Sequence, residues 1–483
     1  MEIFARDSEI KELNRFLKSP KAEFIAVYGR RRVGKTYLIR NFFETRSRLF
    51  FLTGIPEANT QQNLLNFNEE YADVFTRGIA QEVPNNWHEA FTRLRKKIEE
   101  RKIRKKTVIF LDELPWLSGH KSGFIEALSL FWNRYLSNNP QIILIVCGSA
   151  ASWMINNMID AKGSLHNRLT GKIRLLPFNL RETEIYLKKN RINLDQKQII
   201  EIYMAIGGVA AYLNYLEKGK SSKQLISEVC LSHNSSSLYG EFDRLFKSLF
   251  SKSELHVSVV KALAERRIGL TRSEIIEKTG LTSGSVFNRV TNELIESGFV
   301  SKMPLFGNIK KGSTYRLTDE YSLFYLKWYK KIKNTRVNNS TNYWQTLLNT
   351  RSYTSWAGFS FEGICLNHVN EIAKALGISG TLYTYSNWYY KPKKKGEKGA
   401  QIDLVIDRPD NAINLCEIKF TDREFVITKK YAEELKYKIE IFREKTQTKK
   451  TVFFSFITPY GIKKNDYSID IVDNEVLMEN LFK

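Results

Sequence analysis

The segment that most constrains the fold is 29–36, which reads GRRRVGKT and matches the pattern GxxxxGK[ST]. The apolar run EFIAVYG at 23–29 leads into it, and the helical pattern YLIRNFF follows it. A strand, a glycine-rich loop and a helix in this order are typical of a loop whose backbone N–H groups wrap a phosphate. The helix N-terminus adds a favourable dipole. The motif therefore predicts an α/β fold with a nucleotide site.

The whole loop is the predicted nucleotide-binding segment, and its members are Gly29, Arg30, Arg31, Arg32, Val33, Gly34, Lys35 and Thr36. Lys35 is placed to contact the β- and γ-phosphates of a nucleoside triphosphate. Thr36 is placed to offer its hydroxyl oxygen to Mg²⁺. ATP and Mg²⁺ are thus the predicted cofactors.

A second apolar run, KTVIFL at 106–111, ends in Asp112 and Glu113. A near-continuous apolar run is what a buried parallel strand requires. The carboxyl ends of such strands form the ligand-binding edge of an open α/β sheet. We therefore expect Asp112 to hold Mg²⁺, directly or through water, and Glu113 to polarise the attacking water.

A third apolar run, QIILIVC at 141–147, is followed by Gly148 and Ser149. Ser149 is a candidate for a hydrogen bond to the γ-phosphate or the lytic water, and an ordinary strand terminus is the alternative. Arg168 is a candidate sensor of the γ-phosphate, and a solvated surface arginine is the alternative. Arginines of that kind normally act across a subunit boundary, so the role of Arg168 depends on the oligomeric state, for which a homo-oligomer is one candidate.

Residues 1–250 resemble the archaeal-type ATPase family, in the AAA-like and STAND branch of P-loop NTPases. The resemblance rests on GRRRVGKT, VIFLDELPWL at 108–117, CGSA at 147–150, IRLLPFNLRE at 173–182 and IGGV at 206–209. It implies ATP binding and slow, switch-like hydrolysis by five parallel strands and a helical lid. Val209 and Ala210 stand where the family often has a proline, which bears only on the local turn of the lid.

The segment 251–320 predicts a winged helix, since three helical patterns precede two short β runs at 299–303 and 313–317. The third helix of such a module enters the major groove of DNA. Its outer face is predicted to carry Ser285, Asn288, Arg289 and Asn292. The alternative is a packing or protein-interaction module, because residues 254–320 carry ten Lys and Arg against eight Asp and Glu.

Two carboxylates and a lysine are predicted to converge near the C-terminus. Asp403 lies in the strand pattern AQIDLVI at 400–406, and Glu417 and Lys419 share one face of the next strand pattern. A Pro/Asp/Asn turn separates the two patterns, so the strands can pair. Hard carboxylate oxygens of Asp403 and Glu417 suit Mg²⁺, with Lys419 assisting at the scissile phosphate and Glu362 completing the shell. A Glu–Lys ladder on the wet face of an edge strand is the alternative.

Residues 351–483 also resemble the PD-(D/E)XK nuclease superfamily, in the variant fused behind many archaeal-type ATPases. The resemblance rests on the order of helices and strands and on Glu362, Asp403, Glu417 and Lys419. The first motif reads QID rather than PD. Members of this fused type with eroded sites are known, so the resemblance implies the restriction-endonuclease-like fold more strongly than cleavage.

The formal net charge of +23 over 483 residues predicts attraction to a polyanion such as DNA, with a generally basic, solubilising surface as the alternative. Four dispersed cysteines, the acidic N-terminal stretch and the absence of a long apolar run favour a cytoplasmic protein with no membrane partner. The predicted divisions are an ATPase core at 1–178, a helical lid at 179–250, a winged helix at 251–320, a linker at 321–350 and a nuclease-like domain at 351–483.

Two hypotheses about function follow from these features. The first is an ATP-regulated, DNA-directed nuclease that cleaves phosphodiesters with a divalent metal. The second is a nucleotide-dependent regulator or scaffold that binds DNA or protein and has a degenerate nuclease fold. Both require the ATPase.

Overall fold

A computed structural model describes most of the chain, namely residues 3–100, 105–119, 121–149, 151–159, 165, 167–232, 238, 240–250, 252–266, 268–281, 284–307, 312–329, 340–392 and 397–483. The chain forms two compact units. The first comprises Met1–Pro177 and Leu245–Ser253, and the second comprises Phe178–Arg244 and Glu254–Lys483. None of the described helices combines the length and the apolar character that crossing a bilayer requires.

The first unit is built on a five-stranded parallel sheet, as predicted. Its strands are β1 (Glu23–Tyr28), β2 (Arg48–Thr53), β3 (Thr107–Asp112), β4 (Ile142–Gly148) and β5 (Gly171–Arg174). They lie in the order β2-β3-β4-β1-β5, and every neighbouring pair is parallel. Strands β1, β3 and β4 are buried along their whole length, which explains their unbroken apolar sequences.

Helices cover both faces of this sheet. They are α1 (Asp7–Leu17), α2 (Lys35–Phe43), α3 (Thr60–Phe75), α4 (Trp87–Glu99), α5 (Leu114–Leu117), α6 (Phe124–Phe131) and α7 (Ala151–Met154), with single π-helical turns at Trp132–Leu136 and Ile155–Ile159. Apolar side chains of α1 and α2 share a core with one face of the sheet, and those of α3, α4 and α6 share a core with the other. The aromatic rings of Trp87, Phe91 and Phe124 pack edge to face within the second core.

The second unit begins with helices in the region predicted to be a lid. They are α8 (Leu180–Lys189), α9 (Gln196–Ile206), α10 (Ala210–Leu213), α11 (Ser222–Ile226), a π-helical turn at Ser227–Leu231 and α12 (Glu241–Leu249), whose residues from Leu245 on belong to the first unit. Asn179 and Ser221 form reciprocal capping boxes that start α8 and α11. Helix α9 is buried on nearly all sides, so it lies inside the second unit rather than on its surface.

Three helices and a small sheet follow. They are α13 (Ser253–Ala264), β6 (Leu270–Thr271), α14 (Arg272–Thr279), α15 (Gly284–Glu296), β7 (Val300–Pro304) and β8 (Ser313–Leu317). The antiparallel strands lie in the order β6-β8-β7. Thr271 caps α14 through its hydroxyl, with Glu274 completing the capping box. Residues 282–283, which precede α15 in the sequence, and residues 308–311, in the sequence between β7 and β8 where a winged helix has its wing, lie outside the described residues.

The predicted linker 321–350 contains buried helical structure. Helices α16 (Glu320–Phe324), α17 (Ser340–Leu347), α18 (Arg351–Asn367) and α19 (Val369–Ala375) follow one another, with a π-helical turn at Tyr325–Tyr329. The indole rings of Trp328, Trp344 and Trp356 contact one another, with ring centroids 5.8–6.0 Å apart. These aromatic residues therefore form a core within the segment predicted to be a linker and the helix that follows it. Residues 330–339 lie outside the described part of the chain.

A mixed five-stranded sheet completes the second unit. Its strands are β9 (Thr384–Tyr390), β10 (Ala400–Asp407), β11 (Ala412–Ile418), β12 (Thr451–Thr458) and β13 (Asn474–Leu477), in the order β13-β12-β11-β10-β9. Strands β9, β10 and β11 pair antiparallel, whereas β11, β12 and β13 pair parallel. The remaining elements are α20 (Lys429–Thr446), α21 (Asp466–Ile471) and a 3₁₀ helix at Met478–Phe482.

Candidate functional sites

The loop between β1 and α2 depends on its two glycines. Gly29 has φ +145°, and a Cβ atom there would lie 2.2 Å from the carbonyl oxygen of Leu175. Gly34 has φ +94° immediately before the first residue of α2. Only glycine adopts such backbone conformations at little cost. The spacing of these glycines is therefore a requirement of the turn from strand to helix.

Lys35 is buried at the start of α2, with 6% of its surface exposed. Its Nζ donates hydrogen bonds to the carbonyl oxygens of Gly29 (3.0 Å) and Arg30 (2.9 Å). Arg6 donates to the carbonyl oxygen of Val33 (3.1 Å) from the other side of the loop. A buried ammonium is thus held by the loop at the N-terminus of a helix, where anions bind favourably.

Thr36 and Asp112 meet across the sheet edge. The Thr36 hydroxyl donates to Asp112 Oδ2 (2.5 Å), and the Glu113 backbone N–H donates to Asp112 Oδ1 (2.9 Å). Asp112 ends β3 and is 2% exposed. A hydroxyl and a carboxylate beside a phosphate loop match the way Mg²⁺ binds, through one or two carboxylates with water and substrate phosphate. These two residues therefore fit the predicted ion.

Glu113 and Ser149 also lie together, although they follow different strands. The Ser149 hydroxyl is 2.9 Å from Glu113 Oε1 and 2.8 Å from Oε2. Glu113 has φ 47° and ψ 50°, a left-handed conformation that is costly for a residue with a side chain. Such strain persists where the surroundings impose it, and it is concentrated at functional sites.

The remaining residues predicted for this site are spread over the loop and one distant turn. Arg30 is buried, whereas Arg31 and Arg32 are exposed. Arg168 lies in an exposed turn before β5. Within the described part of the first unit, no hydrogen bond or ion pair joins the Arg168 side chain to the residues above.

The second site lies where β10 and β11 pair. The antiparallel register ends with Leu404 opposite Cys416, and Asp403 and Glu417 are the next residues on the two strands. The Ile418 backbone N–H donates to Asp403 Oδ2 (3.0 Å). A register shift against β9, of the kind a β-bulge produces, falls between Ile402 and Val405 and so includes Asp403 and Leu404. Bulges re-aim side chains and are common beside active sites.

The Glu417 carboxylate accepts hydrogen bonds from several side chains. Lys419 Nζ is 2.7 Å from Oε1, and the Tyr431 hydroxyl is 2.8 Å from the same oxygen. Lys438 Nζ bridges both oxygens, at 2.9 Å from Oε1 and 2.7 Å from Oε2. Tyr431 and Lys438 were missed from the sequence. Their separation of seven residues, which places them on one helix face, is the signal that could have identified them.

The pKa values of Asp403 and Glu417 are shifted in opposite directions. Burial, together with the charges of Glu417 and Glu362, raises the pKa of Asp403 to about 7. Burial by itself would raise the pKa of Glu417, but Lys419 and Lys438 outweigh it and lower that pKa. Burial opposes the charge of Lys419, yet Glu417 and Asp403 raise its pKa. The structure thus brings Asp403, Glu417 and Lys419 into one electrostatic cluster.

Glu362 lies on α18 and is 5% exposed. Its carboxylate is 3.8 Å from the guanidinium of Arg316 on β8, a residue that sequence reasoning did not single out. Its charge acts on Asp403, so it belongs to the surroundings of the site. Among the described residues, no group of three or more His, Cys, Asp or Glu side chains is arranged to hold a metal ion. The carboxylates that face each other here are those of Asp403 and Glu417, and oxygen donors of this kind are the type that Mg²⁺ prefers.

Helix α15 presents the side chains predicted to face DNA. Ser285, Asn288 and Asn292 are exposed, and Arg289 is half-buried with a nitrogen 3.9 Å from Glu293 Oε1. The opposite face buries Val290 and Leu294 in the core. The helix is therefore amphipathic, with a polar outer face.

Comparison with known proteins gives a match for the first part of the chain. Residues 3–216 match the model of a family described as an ATPase domain found predominantly in Archaea. An uncharacterised protein of Methanocaldococcus jannaschii is 25% identical over 437 residues, which cover 89% of this chain and 90% of the relative. A solved structure, the Walker-type ATPase PABY2304 of Pyrococcus abyssi, is 19% identical with a TM-score of 0.50 and covers 67% of this chain and 96% of its own.

These similarities agree with the geometry of the first site. The glycine loop, the buried lysine and the Thr36–Asp112 contact lie inside the matched range. The likeness to the solved structure concerns the fold, in which a parallel sheet carries the nucleotide loop. Residues 3–216 are therefore similar to an ATPase domain found predominantly in Archaea, and the likeness to a Walker-type ATPase is one of fold.

Proposed function

We propose that this chain binds ATP with Mg²⁺ and hydrolyses it at the edge of the first sheet. The observation that carries the proposal is the Thr36–Asp112 hydrogen bond beside the buried Lys35, with Glu113 next to it. Lys35 and the loop N–H groups bind the phosphates, and Thr36 with Asp112 would hold the cation, which neutralises phosphate charge when bound. Glu113 orients the attacking water and takes its proton, and Ser149 fixes the Glu113 carboxylate.

Two substitutions test this assignment. We expect Glu113→Gln to bind ATP with wild-type affinity but to turn it over at least about 10²-fold more slowly, because the general base is lost. Lys35→Ala should weaken ATP binding itself, since the phosphates lose a buried cation. Fluorescent-nucleotide binding and phosphate release measure the two effects separately. Full binding and turnover by Lys35→Ala would contradict the proposal.

We further propose that the C-terminal sheet cleaves phosphodiesters. The pairing of Asp403 and Glu417 beside Lys419 supports this, as does the pKa of Asp403, because perturbed carboxyl groups with specific charge partners cluster at functional sites. Asp403 and Glu417 would bind Mg²⁺, which supplies an activated water and charge stabilisation when bound. Lys419 positions the scissile phosphate, and Glu362 adds negative charge that favours cation binding.

Plasmid cleavage in Mg²⁺ or Mn²⁺ tests this second activity. Asp403→Ala and Lys419→Ala should each lose cleavage, whereas Asp407→Ala should keep it. Asp407 is a matched control because it lies on the same strand and pairs with Lys450 away from the site. Equal cleavage by the wild type and by all three variants would remove the assigned residues from the reaction.

The alternative is a nucleotide-dependent regulator or scaffold that cuts nothing. One observation favours it: both Glu417 oxygens are already engaged by protein donors. Such a site is neutralised without any cation. Absence of divalent-metal binding to the C-terminal site, with ATP turnover intact, would select this alternative.

DNA is the partner we propose for either function, with α15 as the contacting element in a winged helix. The polar outer face of α15 and the net charge of +23 support it. Arg168 is proposed to act on a nucleotide bound by a second copy of the chain, because its own side chain lies exposed. Arg168→Ala should then slow ATP turnover only under conditions where the protein self-associates.

A further inference from the structure

The Glu417 carboxylate accepts hydrogen bonds on both oxygens. Within the described part of the chain it accepts four, of which three reach Oε1 from Lys419, Tyr431 and Lys438 and one reaches Oε2 from Lys438. An ionised carboxylate offers about four lone-pair sites, two on each oxygen, so those of Oε1 are fully used and Oε2 keeps one. Glu417 is also only 1% exposed, so water has little access to it. A cation that coordinates Oε2 must therefore come next to the Lys438 ammonium, whose like charge opposes it.

Lys438 is the donor best suited to leave. It alone among these donors contacts Oε2, and it lies on α20 outside the sheet with a side chain that is 21% exposed. The Lys419 side chain is more exposed, at 33%, but it contacts only Oε1 and its residue directly follows β11. Tyr431 touches only Oε1. The long, flexible stem of a lysine lets its ammonium move to solvent at little cost.

We propose that Lys438 is a second substrate-binding lysine. Without a cation, its ammonium bridges both oxygens of Glu417. When a divalent cation binds that carboxylate, the ammonium moves away and binds a phosphate of the nucleic acid instead. The inference rests on the proposed cleavage site and assigns a residue to it. The released ammonium stays on the same helix face as Tyr431, directly beside the site. There it would form a charge-assisted hydrogen bond to a phosphate oxygen.

This arrangement predicts two effects of opposite sign for Lys438→Met, a variant that keeps the aliphatic stem. Removing the competing ammonium should tighten Mn²⁺ binding by about tenfold, the equivalent of one charge-assisted hydrogen bond. Affinity for a DNA duplex in Ca²⁺ should fall several-fold, because a phosphate contact is lost. If Lys438 had only a structural role, Lys438→Met would weaken both Mn²⁺ binding and DNA binding or would change neither.

The metal titration uses the full chain without nucleotide, in an Asp112→Asn background so that the ATP site does not contribute. Lys436→Met is the control, because Lys436 lies on the same helix and pairs with Asp470. It should leave Mn²⁺ affinity unchanged. Circular dichroism at the titration temperature establishes that each variant is folded, and Lys438→Arg should restore DNA affinity if Met lowers it.

The outcomes separate this inference from the proposed cleavage. Unchanged or weaker Mn²⁺ binding by folded Lys438→Met would overturn the inference, even if the wild type cleaves DNA. Tighter Mn²⁺ binding with loss of DNA affinity supports it. The same pattern in a protein that never cleaves would support the role of Lys438 while overturning the cleavage proposal. If neither protein binds Mn²⁺, both proposals fall.

Discussion

Asp403 and Glu417 are chemically similar side chains with opposite titration behaviour. Both are almost fully buried on neighbouring strands, but the ammonium groups of Lys419 and Lys438 lie on Glu417. Asp403 instead accepts a backbone N–H from Ile418 and faces a second negative charge. A pair of carboxyl groups pushed apart in this way is how active sites obtain different protonation states at one pH.

The raised pKa of Asp403 predicts how the stability of the protein depends on pH. Its pKa is about 7 in the folded chain, against a model-compound value of 3.8, so the folded state holds the proton more tightly. The free energy of unfolding should therefore fall as the pH rises from about 4 to about 7 and change little above that. Asp403→Asn removes this titration. In EDTA, its thermal midpoint should exceed that of the wild type by a margin that grows over this range.

Asp407→Asn is the control for this measurement, because Asp407 lies four residues along the same strand. Its difference from the wild type should not grow between pH 5 and 7. Glu417 does not confound the result, since its pKa is lowered and its contribution changes in more acidic solution. Parallel stability profiles for Asp403→Asn and the wild type would show that Asp403 is ionised throughout.

Within the second unit, the buried His368, which lies between α18 and α19, links α8 to these helices by a hydrogen bond. The Leu180 backbone N–H, in the first turn of α8, donates to His368 Nε2 (3.1 Å). His368 Nδ1–H donates to the Ile364 carbonyl oxygen (2.8 Å), which fixes the neutral tautomer. Burial lowers the pKa of His368, so the ring stays neutral as an acceptor. The first helix of the predicted lid is thereby held to α18 and α19 of the C-terminal region.

Replacing this histidine should loosen the attachment. His368→Ala leaves the buried N–H of Leu180 without its acceptor, and we expect a loss of about 1–3 kcal/mol in unfolding free energy. In the wild type the contribution should be present above about pH 6.5 and lost as the pH falls through the lowered pKa. Chemical denaturation followed by tryptophan fluorescence measures both effects. His88→Ala, at an exposed position, should change nothing, and a wild-type midpoint for His368→Ala would contradict the prediction.

The elements that could be predicted from sequence are those whose signals are local. The glycine loop lies between a strand and a helix because only glycine tolerates the φ angles at 29 and 34. The closeness of Asp403 and Glu417 could be predicted because a short turn joins their paired strands. The spacing of Tyr431 and Lys438 places them on one helix face, but their contact with Glu417 depends on which face α20 turns to the sheet, and tertiary packing decides that. For the same reason, the segment 321–329 could not be distinguished from a linker.

At the scale of the whole molecule, the boundary after Pro177 does not follow a change in composition. The apolar residues of α9 from Ile199 to Ile206 indicate burial without indicating against which partner. Among its neighbours, α11, α16 and α18 lie later in the chain. Sequence patterns indicate which surfaces must be buried, whereas tertiary packing determines which element buries them.

The net charge of +23 gives a prediction for the full chain. If DNA binding neutralises about six phosphates, affinity should fall by about 10³-fold between roughly 50 and 200 mM salt, because condensed counterions are released. Fluorescence anisotropy with a labelled duplex measures this slope. Arg289→Gln should lower the slope by about 1 if α15 contacts the backbone, since one phosphate loses its cation. Glu113→Gln, which alters only the nucleotide site, should keep the wild-type slope. Affinity that is independent of salt would show that the positive charges are dispersed over the surface, where they serve solubility rather than DNA recognition.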